Sequence, residues 1–171
     1  MLAIIFLLLN VIFAIFLLYL CLAFVTGAPF VPSHRRAVNA MIALSHLEPG
    51  MIMYDLGSGD GRTLFAAAKK GAMAIGFEIN PILVVWTKLR ILFSPLHQRI
   101  KVHWKTLWRA DLRDADVVYV YLLPHRMKQL EKLLKKQLKP NSIVVSNSFI
   151  FPHWKILRKD TTNHIYVFQI I

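Results

Sequence analysis

Two carboxylates and three glycines crowd into eight residues, Asp55-Leu56-Gly57-Ser58-Gly59-Asp60-Gly61-Arg62, and a third carboxylate, Glu78, follows 19 residues after Gly59. Glycines permit positive φ and let a backbone approach a ligand closely. A carboxylate one strand further on can accept hydrogen bonds from both hydroxyls of a ribose. The spacing therefore points to a nucleoside site.

The details select among nucleosides. A P-loop needs Gly-Lys-Ser/Thr at the end of its glycine run, whereas this chain has Gly61-Arg62-Thr63 at the wrong spacing. A dinucleotide site uses G-x-G-x-x-G and turns a helix N-terminus toward pyrophosphate. Here the glycines run G-x-G-x-G, and Asp55 and Asp60 beside them would repel a pyrophosphate. Such carboxylates suit a ligand with a cationic amino-acid end, which predicts S-adenosylmethionine as cofactor. The plainer reading, a glycine turn with acidic helix caps, explains Asp60 but not Glu78. The seven histidines show no H-x-x-x-H spacing and the single cysteine is Cys21, so no metal site is expected.

The elements that must position these residues alternate. Ser33 reads as the N-cap of a helix from about Arg35 to Leu47. Strands are expected at 51–56, 73–77, 100–104, 117–122, 143–146 and 164–171. Helices are expected at 63–70, 81–93 and 126–138, the second opened by Asn80-Pro81 as cap and first turn. Strands alternating with helices imply an α/β fold, a mostly parallel Rossmann-like sheet covered on both faces.

Before this domain lies an apolar run. From Leu2 to Val25 only Asn10 is plainly polar, and the first charged side chain is Arg35. About 20 apolar residues span a hydrocarbon core. A cleaved signal peptide would need a basic leader and a shorter apolar stretch. The expectation is a transmembrane anchor over residues 1–26, a linker over 27–34 and a cofactor-binding domain over 35–171. His34, Arg35 and Arg36 follow the run, which by the positive-inside rule places the domain on the cytoplasmic side of a single-pass membrane protein. The chain has 171 residues, 21 Lys+Arg against 9 Asp+Glu, and a net charge of +12. All of that basic charge lies after the apolar run, so an anionic membrane surface is an expected partner. Disorder is excluded by a composition that is 56% hydrophobic.

Several stretches stand in an order that resembles one family. They are Pro29-Phe30-Val31-Pro32, Asp55–Arg62, Gly76-Phe77-Glu78-Ile79-Asn80-Pro81, Thr106-Leu107-Trp108 and Ser148-Phe149-Ile150-Phe151-Pro152-His153-Trp154. The resemblance is to membrane-anchored class I, seven-strand methyltransferases that methylate lysine in the ATP synthase c subunit and the adenine nucleotide translocase. It covers about residues 28–155. The glycine loop is generic to the class, whereas Phe-Pro-His-Trp and Pro-Phe-Val-Pro are far more specific. The resemblance implies cofactor contacts at Asp55, Gly57, Gly59 and Glu78, and the candidate set extends to Ser58, Asp60, Gly61, Asn80, Thr106 and Leu107. Where the family usually has an aspartate before Leu-Trp, this chain has Thr106, a weaker partner for an adenine amine.

In such folds the end of the fourth strand faces the transferred methyl group. This chain has Tyr121-Leu122-Leu123-Pro124 there, with no Asn or Asp to hold a planar amide or a base. That favours an aliphatic amine and disfavours nucleic acid. Tyr121, Asn147, Phe149 and Trp154 are the candidates to line the acceptor pocket, each with core packing or turn capping as the plainer role. His153 is a candidate base. The leading expectation is a protein-lysine N-methyltransferase acting on a membrane protein. A methyltransferase for a lipid or quinone-like molecule, and a non-catalytic tethered cofactor-binding protein, stay open.

Overall fold

The computed structural model describes the backbone of residues 2–26 and 31–171, with side chains over 2–17 and from 31 onward. It divides into two compact units, Met1–Val31 and Pro32–Ile171. In the first, α1 runs from Leu2 to Thr26 without a charged residue. Among the residues whose side chains are described, which in α1 end at Leu17, no helix is long and apolar enough to cross a membrane. The first half of the expected linker, residues 27–30 with Pro29-Phe30, lies outside the described residues.

The second unit is a seven-stranded sheet. Its strands are β1 (Ile52–Leu56), β2 (Met73–Glu78), β3 (Ile100–Trp104), β4 (Val117–Val120), β5 (Ile143–Asn147), β6 (Arg158–Asp160) and β7 (Ile165–Gln169). They lie in the order β3-β2-β1-β4-β5-β7-β6. The first five are parallel, and β7 pairs antiparallel with both β5 and β6. Strand order reverses between β1 and β4, so a crevice opens beyond their carboxyl ends, where open α/β sheets bind ligands.

Side-chain alternation gives the sheet two buried faces. One carries Met53, Ala74, Val117, Tyr119, Val145 and Val167 under α2 (Arg35–Ser45) and α3 (Arg62–Lys69), whose Met41, Ile42, Leu64 and Ala67 join the same cluster. Ile91 of α4 (Pro81–Leu92) packs against it too. On α5 (Pro124–Gln137), Met127, Leu130 and Leu134 are fully buried. Each such leucine stabilises the fold by about 1.5–3 kcal/mol. Tyr119 is wholly buried, and its hydroxyl shares a 2.8 Å hydrogen bond with Ser45 of α2.

Several boundaries differ from expectation. Ser33 is not the cap of α2: His34 occupies that position without a side-chain bond, and α2 ends at Ser45, with His46 in the left-handed region. Strand β4 stops at Val120, and α5 begins at Pro124, because proline suits the first turn of a helix but not a strand. The short β6 carries Arg158, Lys159 and Asp160, a polar edge with no apolar alternation to announce it. Asn80 and Pro81 do open α4, the Asn80 side chain accepting from the Ile82 amide at 2.9 Å.

Gly76 of β2 leaves room for the glycine loop above it. A Cβ there would stand 2.5 Å from Ser58 Oγ and 2.7 Å from Leu64 Cδ1. Gly76→Ala is expected to destabilise the domain by about 1–3 kcal/mol through overpacking, read as a lower urea midpoint at unchanged slope.

Candidate active site

The loop from Gly57 to Gly61 turns from β1 into α3 across the crevice. Gly57, Gly59 and Gly61 all have positive φ, which explains why glycine stands at each. A Cβ at Gly57 would meet nothing within 4 Å, so the loop surface there is open. At Gly61 a Cβ would lie 2.7 Å from Thr87 Cγ2 of α4, and Thr87 also donates to the Gly59 carbonyl at 3.1 Å.

The loop amides are already engaged. Gly57 and Ser58 donate to the Phe77 carbonyl at 2.9 and 3.0 Å, and Gly61 donates to the Ser58 carbonyl at 2.8 Å. Gly59 donates to Glu78 Oε2 at 2.9 Å. A phosphate would find these four donors taken and carboxylates beside them, so the loop is no anion cradle.

Glu78 is buried and turned into the site. Its other oxygen, Oε1, accepts from the Asn80 amide at 2.8 Å. A carboxylate has about four lone-pair sites, so two remain to receive a vicinal diol. Thr106 and Leu107 follow β3, next to Glu78 across the sheet, where the Lys105 amide donates to the Glu78 carbonyl at 3.1 Å. Leu107 is buried and Thr106 half-buried.

Asp55 lies beneath the loop, 6% exposed, and accepts from the Thr63 hydroxyl. Burial first, then the charges of Glu78 and Asp60, push its carboxyl up to about 7, although the Thr63 bond opposes the shift. An acid in that state favours a cation beside it. The chemistry of these groups fits S-adenosylmethionine: the carboxylates Asp55 and Glu78 suit a cation and a diol, and Thr106 and Leu107 stand beside Glu78 across the sheet.

Three of the candidate contacts have local roles in the fold. Asp60 faces Arg62, which grips both its oxygens at 2.9 and 2.7 Å. Burial works against the Asp60 charge, but Arg62 outweighs it and holds the carboxyl below its usual range. The Ser58 hydroxyl is tucked against Gly76 with no hydrogen-bond partner, and the Asn80 side chain caps α4.

The acceptor candidates separate into two groups. Tyr121 and Phe149 stack at 6.5 Å beyond the ends of β4 and β5. Asn147, buried at the end of β5, donates to Ser33 Oγ at 3.0 Å and accepts from Ser148. Trp154 packs instead on Phe151 and Phe168, at 4.4 and 6.0 Å. His153 pairs with Glu131 of α5: its ring Nδ1 lies 3.0 Å from that carboxylate, to which its amide also donates.

Ser33 is the residue the sequence reading missed. Its carbonyl accepts from Arg62 at 2.6 Å while its hydroxyl receives Asn147, so the segment before α2 is stitched to both the glycine loop and β5. Only the proline-bearing lead-in hinted at a fixed extended segment here.

The sheet order, the reversed last strand and the acid-lined glycine loop define a class I methyltransferase domain. The ANTKMT methyltransferase domain matches residues 55–158, and the chain belongs to that family. It is 36% identical over 126 residues to the human ATP synthase c-subunit lysine N-methyltransferase, covering 74% of this chain and 54% of that protein. The chain thus spans about half the length of that curated relative. A protein-lysine N-methyltransferase of Saccharolobus islandicus (strain REY15A) is 31% identical over 135 residues, covering 78% of this chain and 84% of the relative. Among solved structures, an RNA methyltransferase from Salinibacter ruber in complex with S-adenosyl-L-homocysteine superposes with a TM-score of 0.77 at 32% identity, covering 82% of this chain and 92% of that one.

The Asp55 carboxyl has opposite effects on folding and on cofactor binding. Raised from 3.8 to about 7, it holds a proton in the folded state that the unfolded chain has lost. Its contribution to stability is full below about 4 and disappears as pH rises through 7. A cationic ligand needs the charged form, so affinity for S-adenosylmethionine should rise with pH across the same window. Calorimetric titrations at several pH values should show this slope in the parent and a flat, weaker profile in Asp55→Asn.

Proposed function

We propose that this chain transfers a methyl group from S-adenosylmethionine to a lysine side chain of a membrane protein. The observation that carries the reading is the Tyr121–Phe149 stack set beside the acid-lined loop. When bound, the cofactor supplies a methyl group on a sulfonium, an already activated leaving group. Asp55 would hold its cationic amino-acid end and Glu78 its ribose. Between Tyr121 and Phe149 the aromatic faces would orient the lysine while loss of water lowers its pKa from the reference of about 10.4, so that it gives its proton to solvent and presents its lone pair. In-line alignment and exclusion of water are the main contributions left to the protein.

Leu122, Leu123 and Pro124 after β4 hold no amide or carboxylate for a planar acceptor, which supports an aliphatic amine. The names of the human and Saccharolobus relatives support lysine. In this reading α1, free of charged residues from Leu2 to Thr26, is a transmembrane anchor with the domain on the cytoplasmic side. Tethering would raise the effective concentration of a membrane-embedded substrate. A second reading is RNA methylation, favoured by the similarity to the Salinibacter enzyme and by the net charge of +12.

The two separate by labelling. Membranes and RNA from a deletion strain are incubated with the purified chain and radiolabelled S-adenosylmethionine. Label in a protein band, recovered as methyl-lysine after hydrolysis, is the expected result. Label in RNA supports the second reading, and label in the lipid extract supports a lipid acceptor. Glu78→Ala removes two charge-assisted acceptors and should weaken cofactor binding on the order of a hundredfold by titration. Tyr121→Ala should lower kcat at least about tenfold while leaving cofactor affinity within about twofold, because the ring faces the acceptor and not the nucleoside.

A further inference from the structure

Helix α4 is apolar on two opposite sides. Val84 and Thr87 face inward and are buried. On the outer side Ile82, Val85, Trp86, Leu89, Leu92 and Phe93 recur at helical spacing and are all exposed, Ile82 by 76% and Phe93 by 84%. The stripe continues beyond the helix start. Ile79 is exposed, and Trp104 of β3 is 68% exposed with its indole Nε1 donating to the Ile79 carbonyl at 2.9 Å, so its ring is held at the surface. An apolar patch that continuous on a folded domain marks an interaction site.

The chain segment that carries it holds charges of one sign. Between Glu78 and Asp111 there is no acidic residue, whereas Lys88, Arg90, Arg99, Lys101, Lys105 and Arg109 all fall in this segment. Lys88, Lys101 and Lys105 stand near enough to His103 that, after partial burial, their charges hold its imidazole below the usual range. A protein partner is generally met by a rim of both signs, and RNA by aromatic platforms. Here Ile, Val and Leu predominate, with tryptophans at the border and a cationic rim, the composition of a surface lying in a membrane interface.

We propose that the outer face of α4, with Ile79 and Trp104, docks the domain on an anionic lipid bilayer, as a contact separate from α1. Ile79 and Trp104 lie at the carboxyl ends of β2 and β3, the sheet edge that carries the glycine loop. Docking there sets the cofactor crevice at the headgroup level.

The test uses the full chain with Cys21→Ser and an environment-sensitive fluorophore at Leu89→Cys, compared with the same label at Lys132→Cys on the exposed side of α5. Each is reconstituted in vesicles of phosphatidylcholine with about one-third phosphatidylglycerol, with and without brominated acyl chains. The expected result is a blue-shifted emission at position 89, quenched by the brominated lipid at least about twofold more than at position 132, and weakened in pure phosphatidylcholine. Trp86→Lys with Phe93→Lys should abolish that difference. Emission at 89 matching that at 132 overturns the proposal. So does a blue shift without quenching, the signature of coverage by α1 or a second copy, and so does a response to single-stranded RNA but not to vesicles. S-adenosylmethionine titration of the same samples reports the glycine-loop site independently of this result.

Discussion

One carboxylate fastens the whole site together. Glu78 spans the gap between two elements that the sheet brings near each other but does not join. It accepts the Gly59 amide from the loop after β1 and the Asn80 amide at the start of α4. A buried carboxylate is tolerated only where it is hydrogen-bonded, and these two bonds meet that requirement. In doing so they fix the loop at the height where its open Gly57 surface lines the crevice. In the proposed reading the remaining lone pairs are left for a diol, so that support and binding would use different lone pairs of the same group.

Asp55 complements this from below. Its burial leaves it short of compensation, with only the Thr63 hydroxyl to oppose desolvation and two neighbouring negative charges. Such a group is a cost to the empty fold and an asset to a cationic ligand. Arg62 closes on Asp60 and offsets part of its charge, so Glu78 stands ahead of Asp60 among the charges that raise Asp55.

The parallel core was legible because buried strands and helix punctuation have local signatures. The runs at 52–56, 73–78 and 143–147, the Asn80-Pro81 start and the glycine loop all carry their reasons in adjacent residues. What was not legible depends on distant pairs. Ser33 looks like a helix cap, yet it serves Arg62 and Asn147. The clasp of Arg62 on Asp60 is not announced by the glycine loop either. Trp154 and His153 share a distinctive motif with Phe149, but Phe168 and Glu131 draw them away from the stack with Tyr121. Strand β6 is fixed by pairing with β7, and its polar residues give no alternation to read. No spacing rule within a segment encodes such partners.

The Ser33 stitch also bears on when the crevice is finished. Its two fasteners are separated along the chain by very different distances, Arg62 by 29 residues and Asn147 by 114. During synthesis the arginine clasp is available early, whereas the asparagine emerges only after β5 has been made. Long-range contacts of this kind come late because chain closure must precede them. A nascent chain can thus form the glycine hairpin well before its roof is secured, and the domain would mature from its cofactor loop outward.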